Sequence, residues 1–125
     1  MAKQQRILMV EDEPELAHIF ASALEKEGFL VDLVKDGASA FEYLSKKAKP
    51  DLVLLDLVIP QIDGYAVMQR LGKDKVKNLS VYAWSNLSQD NEIKRAKKLG
   101  AKEYLIKSEY TPTKLVDKVK ELLNK

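Results

Sequence analysis

The sequence predicts an α/β fold, a five-stranded parallel sheet, doubly wound, with helices on both of its faces. Three observations carry this. Short apolar runs alternate with amphipathic stretches of helical period along the whole chain. The runs are apolar at consecutive positions, as expected of strands covered on both sides. Turn and cap residues separate the two kinds of segment at short intervals. A chain of 125 residues suits one domain, 1–125, and can bury a core; 46% hydrophobic and 32% charged residues is an ordinary globular balance.

Ile7, Leu8, Met9 and Val10 form the first strand, which stops at Glu11-Asp12-Glu13-Pro14. Pro14 suits a first helical turn, where its missing N–H is no loss, and acids there favour the helix dipole. Leu16, Ile19, Phe20, Ala23 and Leu24 follow at helical spacing as one apolar stripe, closed by Gly28. Leu30 to Val34 reads as the second strand. Asp36-Gly37 then turns into a helix carrying Phe41, Leu44 and Ala48, broken by Lys49-Pro50. Leu52, Val53, Leu54 and Leu55 make the third strand. Asp63-Gly64 opens a short helix with Val67, Met68 and Leu71. Ser80 to Trp84 is the fourth strand, and Ser88 caps a fourth helix through Ile93, Ala96 and Leu99, closed by Gly100. Tyr104, Leu105 and Ile106 form the fifth strand. Thr111-Pro112 caps a fifth helix with Leu115, Val116, Val119, Leu122 and Leu123.

Composition narrows the function. There is no cysteine, which excludes disulfides, thiolate catalysis and Cys-ligated metal. A net charge of +2 is too small to imply nucleic acid. Lysines thicken towards the C-terminal third, but Glu92, Glu103, Glu109 and Asp117 are interspersed, as on solvated helix surfaces. No apolar stretch is long enough for a signal peptide or a membrane span, so the expected location is the cytoplasm.

In open parallel sheets, ligands bind beyond the carboxyl ends of the strands, where strand order reverses. The chemistry of this chain gathers there. Strand one runs into Glu11-Asp12, strand three into Asp56, strand four into Ser85 and strand five into Lys107. Asp56 lies inside the apolar run LVLLDLVIP, and an ionised carboxylate near a core is costly unless paired or metal-bound. With Glu11 and Asp12 it makes an oxygen-rich, thiol-free set that suits a hard cation such as magnesium. Like charges about 5 Å apart repel by roughly 3 kcal/mol at an effective dielectric near 20, and a divalent ion removes that repulsion. His18, the only histidine, lies on the first helix with no second soft ligand nearby, which disfavours zinc and a nucleophilic triad. Taken singly, Ser85 reads as a capping hydroxyl, Lys107 as a solvated charge and Tyr104 as a half-buried strand aromatic. Asp63 with Gly64 reads as a helix start.

ILMVEDE, LVLLDLVIPQIDG, VYAWSN and EYLIKS, in this order and at these strand ends, resemble the receiver domain of bacterial two-component response regulators, of the stand-alone type. The resemblance covers nearly the whole chain. It implies a flavodoxin-like (βα)5 fold and a phosphorylation-dependent signalling switch, not an enzyme acting on other substrates. Asp56 would accept a phosphoryl group from a phosphohistidine of a sensor histidine kinase or phosphotransfer protein. Asp12 and Asp56 would bind magnesium or manganese directly, Glu11 through a water, and the Val58 carbonyl would be a further ligand. Ser85 and Lys107 would contact phosphoryl oxygens, and Tyr104 occupies the aromatic switch position. The surface around the fourth helix, fifth strand and fifth helix would then change and regulate a downstream protein. Neither a membrane nor nucleic acid is expected as partner, and a monomer or weak dimer is.

The chain departs from the family at four positions. Ser108 replaces the proline after the lysine, where the Lys–Pro bond is typically cis. A cis bond before a non-proline residue costs about 3–4 kcal/mol, so the loop is expected to be trans. Asn86 replaces a very small residue beside the site. Val58 and Leu87 are apolar where they flank it and hold no hydrolytic water by hydrogen bonding, so a long-lived phosphoryl state is expected. Trp84 reads as a core aromatic. Two alternatives stay open: a degenerate receiver that only binds protein, and an aspartyl-phosphate phosphatase, which would want a second aspartate at Val58. A dinucleotide or flavin site would want a glycine-rich turn where Glu11-Asp12-Glu13-Pro14 stands. The chain ends soon after the fifth helix, as expected of a stand-alone receiver or a piece of a larger regulator.

Overall fold

The computed structural model describes residues 4–46, 49–87 and 89–124. Its strands are β1 (Arg6–Val10), β2 (Leu30–Val34), β3 (Leu52–Leu55), β4 (Val81–Ser85) and β5 (Glu103–Ile106). They form one five-stranded sheet in the order β2-β1-β3-β4-β5, with every neighbouring pair parallel. The expected fold class is therefore the observed one. The chain winds outward from β1 to β2 and returns on the other side to β3, so the order reverses between β1 and β3.

The helices are α1 (Pro14–Lys26), α2 (Gly37–Leu44), α3 (Gly64–Leu71), α4 (Lys73–Asn78), α5 (Asp90–Lys98) and α6 (Pro112–Leu123). Successive strand residues serve opposite faces. Ile7, Met9, Leu52, Leu54, Tyr82 and Trp84 pack with Phe20 and Leu24 of α1 and Leu115, Val116, Val119 and Leu122 of α6. Leu8, Val10, Val53, Leu55, Val81 and Ala83 pack with Ala40, Val67, Met68, Val76 and Ala96 from α2 to α5. Burial on both faces is why these strands lack alternation.

The expected caps form where the sequence places them. Asp36 accepts from the Ser39 amide at 2.6 Å, Asp63 from Ala66 at 2.8 Å, and Thr111 from Lys114 at 3.2 Å. Gly28 follows α1 at φ +96°, a left-handed conformation that glycine adopts without a Cβ clash. Ser88, expected to cap the fourth helix, and Ala48 lie outside the described residues; Gln89 immediately precedes α5.

Three expectations shift. The buried face of α1 is Ala17, Phe20, Ala21 and Leu24, leaving Ile19 51% exposed. The small alanines allow α1 to approach the sheet along that line. The helix α4 was not expected, because Lys73–Asn78 carries a single apolar residue, Val76, too few to show a period. The strand after it begins at Val81, one residue later than expected, with Ser80 at φ +54° ahead of it.

Candidate phosphoacceptor site

The sheet register builds the site. Val10 pairs with Leu55 in the last step of the β1–β3 ladder, so Glu11 and Asp56 leave the sheet side by side. Backbone bonds hold both exits, from the Asp56 N–H to the Val10 carbonyl at 3.1 Å and from the Glu11 N–H to the Val34 carbonyl at 3.0 Å. Glu11, Asp56 and Ser85 are the buried polar side chains among the described residues, while Asp12 is exposed. One carboxylate oxygen each from Glu11, Asp12 and Asp56 lies within 4.8 Å of the other two.

Lys107 reaches into this group from the end of β5. Its Nζ donates to Glu11 Oε1 at 2.5 Å and to Asp56 Oδ2 at 2.6 Å. The other oxygens are also engaged: Asp56 Oδ1 accepts from the Val58 N–H at 3.0 Å and Glu11 Oε2 from the Glu13 N–H at 3.2 Å. Burial pushes the Asp56 carboxyl up to about 6; Lys107 and the Val58 amide oppose that rise and Glu11 adds to it. The Lys107 ammonium is held above its ordinary value: burial opposes its charge, but the two carboxylates outweigh it.

Ser85 Oγ accepts from the Leu87 N–H at 3.2 Å. Asp12, Asp56, Val58, Ser85, Asn86, Leu87 and Lys107 line one open cavity of about 330 Å³, together with Glu13. Tyr104 does not line that cavity and packs against the α2–α5 core, with its hydroxyl buried near those of Ser85 and Tyr65. Burial pushes that phenol up to about 12. Trp84 is fully buried, edge-on to Phe20 with centroids 5.2 Å apart, as a core aromatic. His18 is exposed on α1. The Lys107–Ser108 peptide is trans, and Lys107–Glu109 forms a 3₁₀ turn.

Two features escaped sequence reasoning. The Glu13 and Val58 amides that brace the carboxylates are backbone groups, which no side-chain pattern announces. The bond from the Ser108 N–H to Asn86 Oδ1, 2.8 Å long, joins residues 22 positions apart.

Residues 7–120 match the family model of the response regulator receiver domain. The chain belongs to that family. The receiver is 33% identical over 121 residues to the regulatory protein VanRc of Enterococcus gallinarum, covering 97% of this chain and 51% of that one. It is 31% identical over 121 residues to the DNA-binding dual master transcriptional regulator RpaA of Synechocystis, covering 96% and 49%. The receiver thus spans about half the length of these curated relatives. In fold it resembles the receiver domain of the sensor histidine kinase PA1611 from Pseudomonas aeruginosa, with a magnesium ion coordinated in its active-site cleft. That likeness has a TM-score of 0.82 at 23% identity and covers 98% of this chain and all of the other. Among the described residues, no helix of the receiver is long and apolar enough to cross a membrane.

Proposed function

We propose that the receiver is a phosphorylation-driven switch in a two-component relay, with Asp56 as its phosphate acceptor. The observation that carries this is the placement of Asp56. It is a buried carboxylate at the sheet's switch point, with Glu11 and Asp12 oxygens within 4.8 Å and Lys107 at 2.6 Å.

The donor set fits a hard divalent cation. It is all oxygen, and its three carboxylates face one ammonium, an imbalance that one such ion removes. Glu11, Asp12 and Asp56 would hold magnesium or manganese, with the Val58 carbonyl as a further ligand; a relative in fold has magnesium in its cleft. When bound, the ion neutralises charge on the phosphoryl oxygens.

In the transfer, an Asp56 carboxylate oxygen attacks the phosphorus of a phosphohistidine on a sensor kinase or phosphotransfer protein. The new P–O bond forms as the P–N bond breaks, and the imidazole leaves with a proton from solvent. Lys107, already on Asp56, pairs with an incoming phosphoryl oxygen. Ser85 accepts from Leu87, which leaves its own O–H to donate to another. The receiver catalyses only the formation and loss of its own aspartyl-phosphate.

The signal then passes to a downstream protein through the surface of α5, β5 and α6. Tyr104 supports this: its hydroxyl is buried within electrostatic reach of Ser85, so a movement of Ser85 towards a phosphoryl group would be felt there. Three buried or half-buried charges tied together at the strand ends favour a working site over a degenerate receiver. The DNA-binding name of one relative belongs to a protein about twice this length.

The test is intact mass after incubation with a small acyl phosphate, with and without magnesium, beside Asp56→Asn. A single magnesium-dependent phosphoryl gain, absent from Asp56→Asn, is expected. No gain in the unaltered chain would favour the protein-binding alternative.

A further inference from the structure

Asn86 and Ser108, two of the positions at which the chain departs from the family pattern, are bonded to each other. Asn86 Oδ1 accepts from the Ser108 backbone N–H at 2.8 Å. A proline at 108 has no N–H to give, and a very small side chain at 86 has nothing to receive it. Each departure makes sense of the other.

The bond lies in a telling place. The β4–β5 ladder ends where Ser85 pairs with Ile106, and the Asn86–Ser108 bond is the next tie outward. Between ladder and tie sits Lys107, whose ammonium bonds both Glu11 and Asp56. Asn86 and Lys107 line the same cavity over Asp56. Lys107 is thus held at both ends, by two carboxylates at its tip and by the clasp beside its backbone.

We infer that Asn86 is a positioning residue, which through Ser108 fixes the backbone of Lys107 so that its ammonium meets a phosphoryl group on Asp56. This rests on the phosphoacceptor role of Asp56. In the resting receiver the two carboxylates suffice to keep Lys107 in place even without the clasp. Once a phosphoryl group occupies an Asp56 oxygen, one of those anchors is gone and the clasp carries a larger share. Loss of the clasp therefore shows mainly in the phosphorylated form.

The test uses beryllofluoride, which mimics a phosphoryl group on aspartate, titrated into the full chain at saturating magnesium. Asn86→Ala removes the acceptor; Ser108→Ala keeps the amide. In Asn86→Ala, the Ser108 amide should exchange faster with solvent and beryllofluoride affinity should fall about fivefold, the size of one hydrogen bond. Magnesium affinity and melting temperature should stay close to those of the unaltered chain. Ser108→Ala should keep both amide protection and affinity. Unchanged beryllofluoride affinity in Asn86→Ala overturns the proposal. So does a joint fall in magnesium affinity, beryllofluoride affinity and melting temperature, which marks a merely structural bond. An unaltered chain that takes up no beryllofluoride defeats the phosphoacceptor role and the positioning role with it, whereas the clasp itself is then decided by the Ser108 amide.

Discussion

Asp56 combines a buried carboxylate with a lysine close enough to bond it, and burial dominates its titration. Its folded pKa, about 6, lies above the ordinary 3.8, so the fold disfavours its ionised form. The stability tied to this group is fully present below about 3.8 and is lost as pH rises through about 6. In metal-free protein, Asp56→Asn should therefore melt higher than the unaltered chain at pH 7. That gain should shrink towards nothing near pH 4. An equal gain in thermal melts at both pH values would show that burial of the charge is not its origin. Val58 and Leu87 bear on how long the aspartyl-phosphate lasts. Both line the site cavity, Val58 58% exposed, and neither side chain holds a water by hydrogen bonding. Polar residues at both, as in Val58→Asn with Leu87→Gln, should shorten the aspartyl-phosphate lifetime by roughly an order of magnitude or more. Decay of the phosphorylated mass over time reads this directly, and an unchanged lifetime would remove the role given to these side chains.

The helix α3 constrains the site although it contributes no site side chain. A Cβ at Gly64 would lie 2.5 Å from the Asp56 carbonyl oxygen and 2.8 Å from the Leu57 Cα. Both are backbone atoms and have little room to give. Gly64 also donates to the Leu57 carbonyl at 3.1 Å, and Asp63 caps the same turn. The α3 start thus seats the Asp56 backbone as well as being the helix start expected from Asp63-Gly64. Gly64→Ala should destabilise the fold by about 1–3 kcal/mol in urea denaturation. Because the atoms displaced belong to Asp56, phosphoryl uptake should slow even where the variant folds. Full stability and full uptake together would mean that the loop absorbs the extra methyl.

For the whole molecule, the three clustered carboxylates are a source of instability that a bound cation would turn into a gain. One site filled at a hundred times its Kd stabilises the folded chain by about 2.7 kcal/mol. For a domain of this size that corresponds to roughly 10 °C in melting temperature. Millimolar magnesium is expected to raise the melting temperature over that in chelator, and Asp12→Ala to abolish most of the rise. A melting temperature indifferent to magnesium would count heavily against the metal reading of Glu11, Asp12 and Asp56.

The strands, their order of appearance and the acidic, hydroxyl and ammonium residues at their ends were legible in the sequence, because each depends on local pattern. Apolar runs without alternation imply cover on both faces, and a polar residue ending such a run stands at the sheet's edge. Caps at Asp36, Asp63 and Thr111 were legible for the same reason, since a cap bonds within its own first turn. Contacts between distant segments were decided only in three dimensions. Packing chose which side of α1 is buried and formed α4 around Val76 alone. The fold also drew Lys107 onto Glu11 and Asp56, set Gly64 against the backbone of Asp56 and closed Asn86 on Ser108. A local pattern records what a residue prefers, whereas each of these partners lies beyond the other's local pattern and the two meet only once the sheet has brought the strand ends together.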